Sequence, residues 1–576
     1  MRIDPRTLQA SSIHVGNEPS GLAVAGGNVL VTVLPSLASH RGGTLTLVAS
    51  FTMTSAAHFW SDPAVAWDSK DWEILAMTYD GLVGYRRVGG PVGDQLVPDL
   101  ARALPVPSDN GTTYTFRLRS GIRYSNGQLV RPEDFRRALE RVFILNHPGV
   151  PPSSFYSGIV GAAACEQHPQ HCTLSRGMVT NDRAGTVTFH LTAPDPDFLD
   201  KLALPFADAV PATTPDHLLT AAQVPATGPY LTRSLNPMHA WVLVRNPRFR
   251  QWSAQAQPGG YPDRIVLRLG AAPAAAVDAV EQGRADVLFS GPPGSRIHEL
   301  TTRYANLLHT DPEGATGALF LNTRVRPFSV LAARQAVNYA IDRNTMIQLA
   351  GGPLTAQPTC QILPPTLPGY QPYCPYTINP GPSGAWQAPN LARARQLVRR
   401  SGTLGDKVTV VTDPMQPQMP GPAAGPYLVS VLRQIGYRAS QRAIPDPGTY
   451  WNTIDNSRNH IQIGEFRWAQ DYPAPWDFFG LLFSCHSFFP GNPANLNDSE
   501  FCDPGIEAQY RQALAAQARS PNATRLLWAD IDRAVTRQAP WVPLYNQRAL
   551  VVLSDRVGNY QFHPLWGLLI DQLWVR

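Results

Sequence analysis

The sequence carries little charge. Asp, Glu, Lys and Arg make up 16% of its 576 residues, and 48 basic against 43 acidic side chains leave a net charge of +5. No run of Lys and Arg forms a basic stripe, so composition argues against a nucleic-acid partner. Long apolar runs are missing too. No stretch approaches the roughly eighteen residues that a membrane-spanning helix needs. No charged, apolar and cleavage-site segments open the chain, and no lipid-attachment Cys stands near Met1. Catalytic signatures are absent as well: there is no G-x-S-x-G, H-E-x-x-H, P-loop or G-x-G-x-x-G. The 14 His are scattered, and no spaced ligand set supports a metal or haem cofactor. No cofactor is expected, and no reacting pair is proposed by the sequence, since only the fold could bring one together.

Cysteines are few and even in number. The 6 of them fall into three local pairs, Cys165 with Cys172, Cys360 with Cys374 and Cys485 with Cys502. Short loops are easily closed, and none is left over, which suits disulfides in an oxidising compartment. The alternative is zinc at Cys165, His168, His171 and Cys172, although Pro169 and the tight spacing strain a tetrahedron. Gly (45) and Pro (55) are plentiful, as in a compact, loop-rich protein. The length predicts two to four domains.

The most informative stretch is Ala318–Arg343, ALFLNTRVRPFSVLAARQAVNYAIDR. A short apolar strand, Ala318–Leu321, ends at Asn322-Thr323. A turn with Pro327 follows, then a helix from about Val330 with Val330, Ala333, Val337, Ala340 and Ile341 at helical spacing. The stretch resembles the "F-N-x-x-x-x-P-F-x-D-x-x-V-R-x-A-x-x-x-A-I-D-R" signature of extracytoplasmic solute-binding proteins of the oligopeptide, dipeptide and nickel class. Ser329 stands where that pattern has Asp.

Further motifs follow in the family's order. Gly42–Leu47 is similar to the first mature strand, Tyr79-Asp80-Gly81-Leu82 to "Y-E-G-L", and Thr113–Arg123 to "T-F-x-L-R-x-G-V-x-F". Pro132-Glu133-Asp134 opens an amphipathic helix with Phe135, Leu139, Val142 and Phe143, and its early acids suit the helix dipole. Thr227–Tyr230 is similar to "G-T-G-P-Y", Asn390–Gly402 and Pro426–Gly436 to two helices closed by Gly, and Ala539–Asn546 to a second lobe crossing. The resemblance implies a two-lobed α/β periplasmic-binding-protein-like fold of type II, with three subdomains and hinge crossings. Lobe I would comprise 42–82, 211–317 and 542–576, an inserted subdomain 83–210, and lobe II 318–541. Residues 1–41 stand apart: Ile13–Val33 resembles one β-propeller repeat followed by a linker, and one blade cannot bury its faces alone.

In the resemblance, Phe466–Trp476 matches "G-W-x-x-D-Y-x-D-P". It implies that Asp471 holds a ligand α-ammonium, since a carboxylate in a dry cleft makes a strong bond to a cation. Arg467, Trp468 and Ala469 would pair their backbone with an extended ligand, and Trp468 and Tyr472 would wall it. His58, Phe59 and Trp60 in the loop after the first strand, and Tyr545 at the second crossing, are further candidates. The competing role for Asp471 is a loop cap, and Trp476 is expected under the loop. Two departures stand out. Arg467 replaces a small residue, to clamp an anion or fill backbone space. The loop Thr412–Pro417 lacks the Arg that pairs with a dipeptide carboxylate in relatives. A longer peptide, a sugar or another small solute therefore stays open.

The resemblance implies capture of a small extracellular solute, a peptide before other classes, for ABC importer permease subunits. The setting is extracytoplasmic, with the membrane reached only through an anchor or segment upstream. The alternative is a ligand-sensing module of a larger membrane-anchored signalling protein, which the propeller-like leader suggests.

Overall fold

The computed structural model describes residues 40–53, 61–146, 151–415, 420–520 and 524–576, with the backbone of short strands nearer the N-terminus. Eleven strands form one sheet. In chain order they are β1 (Thr44–Val48), β2 (Tyr230–Asn236), β3 (Ala240–Arg245), β4 (Arg264–Arg268), β5 (Val287–Leu288), β6 (Leu308–Leu321), β7 (Ala356–Pro358), β8 (Lys407–Thr412), β9 (Arg438–Ala443), β10 (Ile463–Ala469) and β11 (Trp541–Leu553). Across the sheet they run β2-β3-β4-β1-β5-β11-β6-β10-β8-β9, with β7 against β11.

The sheet is two half-sheets joined by β6 and β11. On one side Leu45, Leu47, Trp241, Leu243, Ile265 and Leu267 build a core. On the other, Leu319, Leu321, Val337, Val398, Val408 and Leu432 build a second. β6 and β11 are the long strands, of 14 and 13 residues. They pair antiparallel from Leu308↔Val552 to Phe320↔Trp541, and the register breaks between Pro312 and Thr316. Such a break leaves residues unpaired and bends the strand. β6 is thus longer than the Ala318–Leu321 strand expected. Its first half, with His309, Asp311, Pro312 and Glu313, is polar and partly exposed, so no apolar alternation marks it.

The signature helix is Leu331–Ala340, burying Ala333, Ala336, Val337 and Ala340. Arg334 is buried as well: its Nε donates to Gln538 O at 2.9 Å and its Nη1 to Phe328 O at 2.7 Å. Arg343 donates from Nε to Thr359 O at 2.7 Å and to Pro543 O at 2.9 Å. Arg343 therefore fastens the second crossing, and Arg334 the residue just before it, to the signature segment. Asp342 caps the next helix, accepting from Asn344 N at 2.9 Å and Thr345 N at 3.2 Å.

A separate three-stranded antiparallel sheet, Thr113–Arg117, Thr186–His190 and Met178–Asn181, packs with the helix Pro132–Leu145. The helix near the C-terminus runs Arg525–Gln538; residues 521–523 lie outside the described residues. Disulfides join Cys165–Cys172, Cys360–Cys374 and Cys485–Cys502. The first takes both thiols of the zinc alternative. The propeller-like unit expected over 1–41 falls largely outside the described residues. What is described there includes the backbone of an antiparallel hairpin, Pro19–Ala25 with Asn28–Val33. No helix among the described residues is long and apolar enough to cross a membrane.

Candidate ligand-binding site

β10 is built to be seen from one edge. Its inner edge pairs with β6 from Ile463↔Leu321 to Ala469↔Ala315. Its outer edge pairs with β8 only at Ile463↔Val410 and Gly464↔Val411. From Glu465 to Ala469 the outer edge has no strand partner among the described residues. An unpaired edge presents backbone donors and acceptors that an extended ligand satisfies. Phe466 and Trp468 point to an aromatic cluster, stacked at 6.4 Å between ring centroids. Alternation puts Glu465, Arg467 and Ala469 on the opposite face.

At the end of β10, Gln470 N donates to Gly314 O at 2.8 Å, which ties the loop to the bend in β6. Asp471 follows. Its carboxyl is 6% exposed. Oδ1 accepts from Trp67 Nε1 at 2.8 Å, across from lobe I. Oδ2 is buried and has no partner among the described residues. Six residues on, at the start of the helix Trp476–Leu482, Asp477 Oδ2 accepts from Asp471 N at 2.9 Å and from Trp468 Nε1 at 3.3 Å. Burial pushes the carboxyl of Asp471 above its usual range, opposed by the Trp67 bond. Asp477 is raised by burial and then by Asp471. Two carboxyl groups share this dry corner, and a cation or a proton relieves them.

The lobes touch here. Trp67 meets Trp468 edge-on at 6.0 Å. Tyr472 packs on Phe155 of the inserted subdomain at 5.9 Å, with Lys201 Nζ 5.9 Å above its ring. Gln517 Nε2 donates to Asp197 Oδ1 across the same junction. Burial raises Asp197 to about 8, with Asp195 and Asp200 adding to it. The lobe I side is held by a buried ion pair. Arg141 donates from Nη1 and Nη2 to the two oxygens of Asp62, at 2.9 and 2.7 Å.

Arg467 turns to the hinge. Its Nη2 pairs with Glu313 Oε2 at 2.8 Å and its Nε donates to Gln547. Glu313 and Gln547, with Asp311, Gln357 and Arg548, line a cavity of about 330 Å³ where the register of the crossing strands breaks. Tyr545 is 2% exposed. A Cβ at Gly317 would come to 2.4 Å of its ring, so Gly317 is what lets the two strands close around it.

Asp471, Trp468 and Tyr472 thus meet at one junction, Ala469 stands on the open edge, and Arg467 and Tyr545 belong to the hinge side. Trp476 packs on Tyr510 and Trp528, under the loop as expected. His58, Phe59 and Trp60 lie outside the described residues. Sequence reading missed Trp67, Asp477, Glu313 and Gln547. For Asp477 a second Asp six residues after Asp471 was available as a signal; the others come from segments distant in the chain. Among the described residues no group of three His, Cys, Asp or Glu is arranged to hold a metal ion.

The sequence profile of bacterial extracellular solute-binding proteins, family 5 middle, matches residues 95–489. Di/tripeptide-binding protein 4 of Pseudomonas aeruginosa is 25% identical over 513 residues, covering 82% of this chain and 86% of that protein. Heme-binding protein A of Haemophilus influenzae is 23% identical over 493 residues, covering 82% and 84%. Among solved structures, clavulanic acid biosynthesis oligopeptide binding protein 2 superposes with a TM-score of 0.81 at 24% identity, covering 94% of this chain and 97% of that one. A periplasmic binding protein of Helicobacter pylori, in complex with the peptide STSA, gives 0.72 at 20% identity, covering 93% and 99%.

Proposed function

The chain belongs to the family 5 bacterial extracellular solute-binding proteins, and from that premise we propose that it captures a peptide in the cleft between its lobes and delivers it to an ABC importer. The observation that carries this reading is the open edge of β10, Glu465–Ala469, which ends at a buried carboxylate oxygen of Asp471 that has no partner among the described residues. A peptide has what both need. Its backbone pairs with the edge, and its α-ammonium meets Asp471 in a charge-assisted bond. The names of the relatives that bind peptides favour a peptide over a sugar.

In this reading Trp468 and Tyr472 wall the ligand, and Arg467 closes the hinge side of the cleft beside Tyr545. His58 and Phe59 complete the proposed set of ligand contacts. Hinge closure desolvates the ligand, and the permease recognises the closed form. Binding and release are the whole of its chemistry, with no catalytic step. The protein works outside the cytoplasm, tethered through a segment upstream of the solute-binding fold, and the propeller-like leader belongs to that segment.

Thermal unfolding against peptides, sugars, polyamines and metal ions tests this, because a ligand that binds only the folded state raises the midpoint. Tripeptides raise it, and Asp471→Ala removes the rise. A rise with sugars alone, or one indifferent to Asp471, contradicts the reading.

A further inference from the structure

Glu465 stands at the other end of the open edge. It is 1% exposed. Its Oε2 accepts from Asp413 N at 3.2 Å, while Oε1 is buried and has no partner among the described residues. The described residues around it bring no cation. Asp413, at the end of β8, is itself fully buried, Tyr450 donates its hydroxyl to the backbone oxygen of Glu465 at 2.6 Å, and Tyr545 packs on the neighbouring strand. Arg467 is two residues away on the same face, yet its guanidinium is tied to Glu313 and Gln547. The adjoining segment Thr412–Met415 has no Lys or Arg.

A carboxylate kept dry and without a counter-ion is costly. The fold holds it either as a neutral acid or as half of a pair whose other half arrives from outside. Position favours the second. A strand added to the outer edge of β10 sets its side chains beside those of β10 on each face. An extended ligand with its ammonium at Asp471 advances about 3.3 Å per residue toward Glu465. Its second or third residue, given a long side chain, reaches that carboxylate.

We propose that Glu465 is a second anionic anchor, which takes the ammonium or guanidinium of a lysine or arginine side chain in the bound peptide. This rests on the peptide reading above and narrows it to basic peptides. Burial raises the Glu465 carboxyl to about 8, opposed by the hydrogen bond from Asp413 N. The empty site therefore holds a proton at neutral pH, which the ligand's cation displaces.

Calorimetric titration with Ala-Lys-Ala and Ala-Ala-Lys tests this, beside the same peptides with norleucine in place of lysine. Norleucine keeps the chain and drops the charge. Wild type binds the better lysine peptide at least ~tenfold more tightly than its norleucine twin, as a charged hydrogen bond warrants. In Glu465→Gln that advantage disappears. Norleucine peptides that bind as tightly as lysine peptides to wild type overturn the inference and leave the peptide reading standing. So does a lysine advantage that survives in the variant. Binding of neither peptide overturns both. The wild-type comparison stands even if the variant fails to fold.

Discussion

At the scale of single residues the account turns on Asp471. Burial holds its carboxyl above the ordinary value of 3.8, at about 7. An acid so raised keeps its proton where an exposed acid has lost it, and an ammonium ligand requires the ionised form. Affinity for a free N-terminus is therefore weak in acid, strengthens as pH rises to about 7, and falls again where the peptide's own α-ammonium loses its proton, at ~8. On the acid side each ligand releases a proton, read by calorimetry in buffers of different ionisation heat. Asp471→Asn binds more weakly and loses the acid-side dependence; an affinity that falls as pH rises toward neutrality would contradict the assignment. Asp471 and Trp468 were legible because they sit in one contiguous motif. Trp67 was not, because its bond to Asp471 joins residues 404 apart in the chain, and Gln517 reaches Asp197 across 320. A local pattern carries no trace of such contacts.

At the scale of elements the crossing strands decide how the lobes move. β6 and β11 pair over most of their length, and their register breaks at Pro312–Thr316, beside the cavity and the Arg467 tether. Gly317 lies just past that break against Tyr545, and a Cβ there would meet the ring at 2.4 Å. Gly317→Val overpacks the crossing and costs about 1–3 kcal/mol, seen as a lower unfolding midpoint, with weaker ligand binding because Tyr545 is displaced. An unchanged midpoint would mean that the strands yield freely at this point. Helices with an apolar stripe and a clear stop were readable: Leu391–Arg400 begins after the Asn390 cap, and Ala424–Ile435 ends at Gly436 in the left-handed region. The polar half of β6 was not, since it is defined by pairing with β11 and not by a buried face. The signature arginines Arg334 and Arg343 were visible as a pattern. Their work, bonding backbone oxygens of the second crossing and of the residue just before it, appears only once 200 or more intervening residues have folded back.

At the scale of the whole molecule the claim is that two lobes close on each other through acids as well as aromatics. Asp197 receives Gln517 across the junction and is raised to about 8 by burial and by Asp195 and Asp200, against the opposing charge of Lys201. Opening returns it toward the ordinary 3.8. The open form thus loses its proton first, and ligand-free closure weakens as pH rises from about 4 to about 8 and is then constant. Small-angle scattering of ligand-free protein reads this as a radius of gyration that grows across that window. Asp197→Asn flattens the change. A radius that shrinks with rising pH would reverse the sign and sink this part of the account. The two-lobed plan was legible in the ordered run of motifs, because each marks a strand end or a helix that the sheet order requires. The state of the cleft was not, since it depends on side chains from three separate segments meeting at Tyr472.

The most direct test of the central claim is a titration of one tripeptide and its N-acetylated form against the purified protein. Acetylation removes the α-ammonium and leaves the backbone edge contacts in place. If Asp471 holds that ammonium, the free peptide binds and the acetylated one loses at least ~tenfold in affinity. Equal binding of the two would show that the cleft does not read the N-terminus, and would contradict the account.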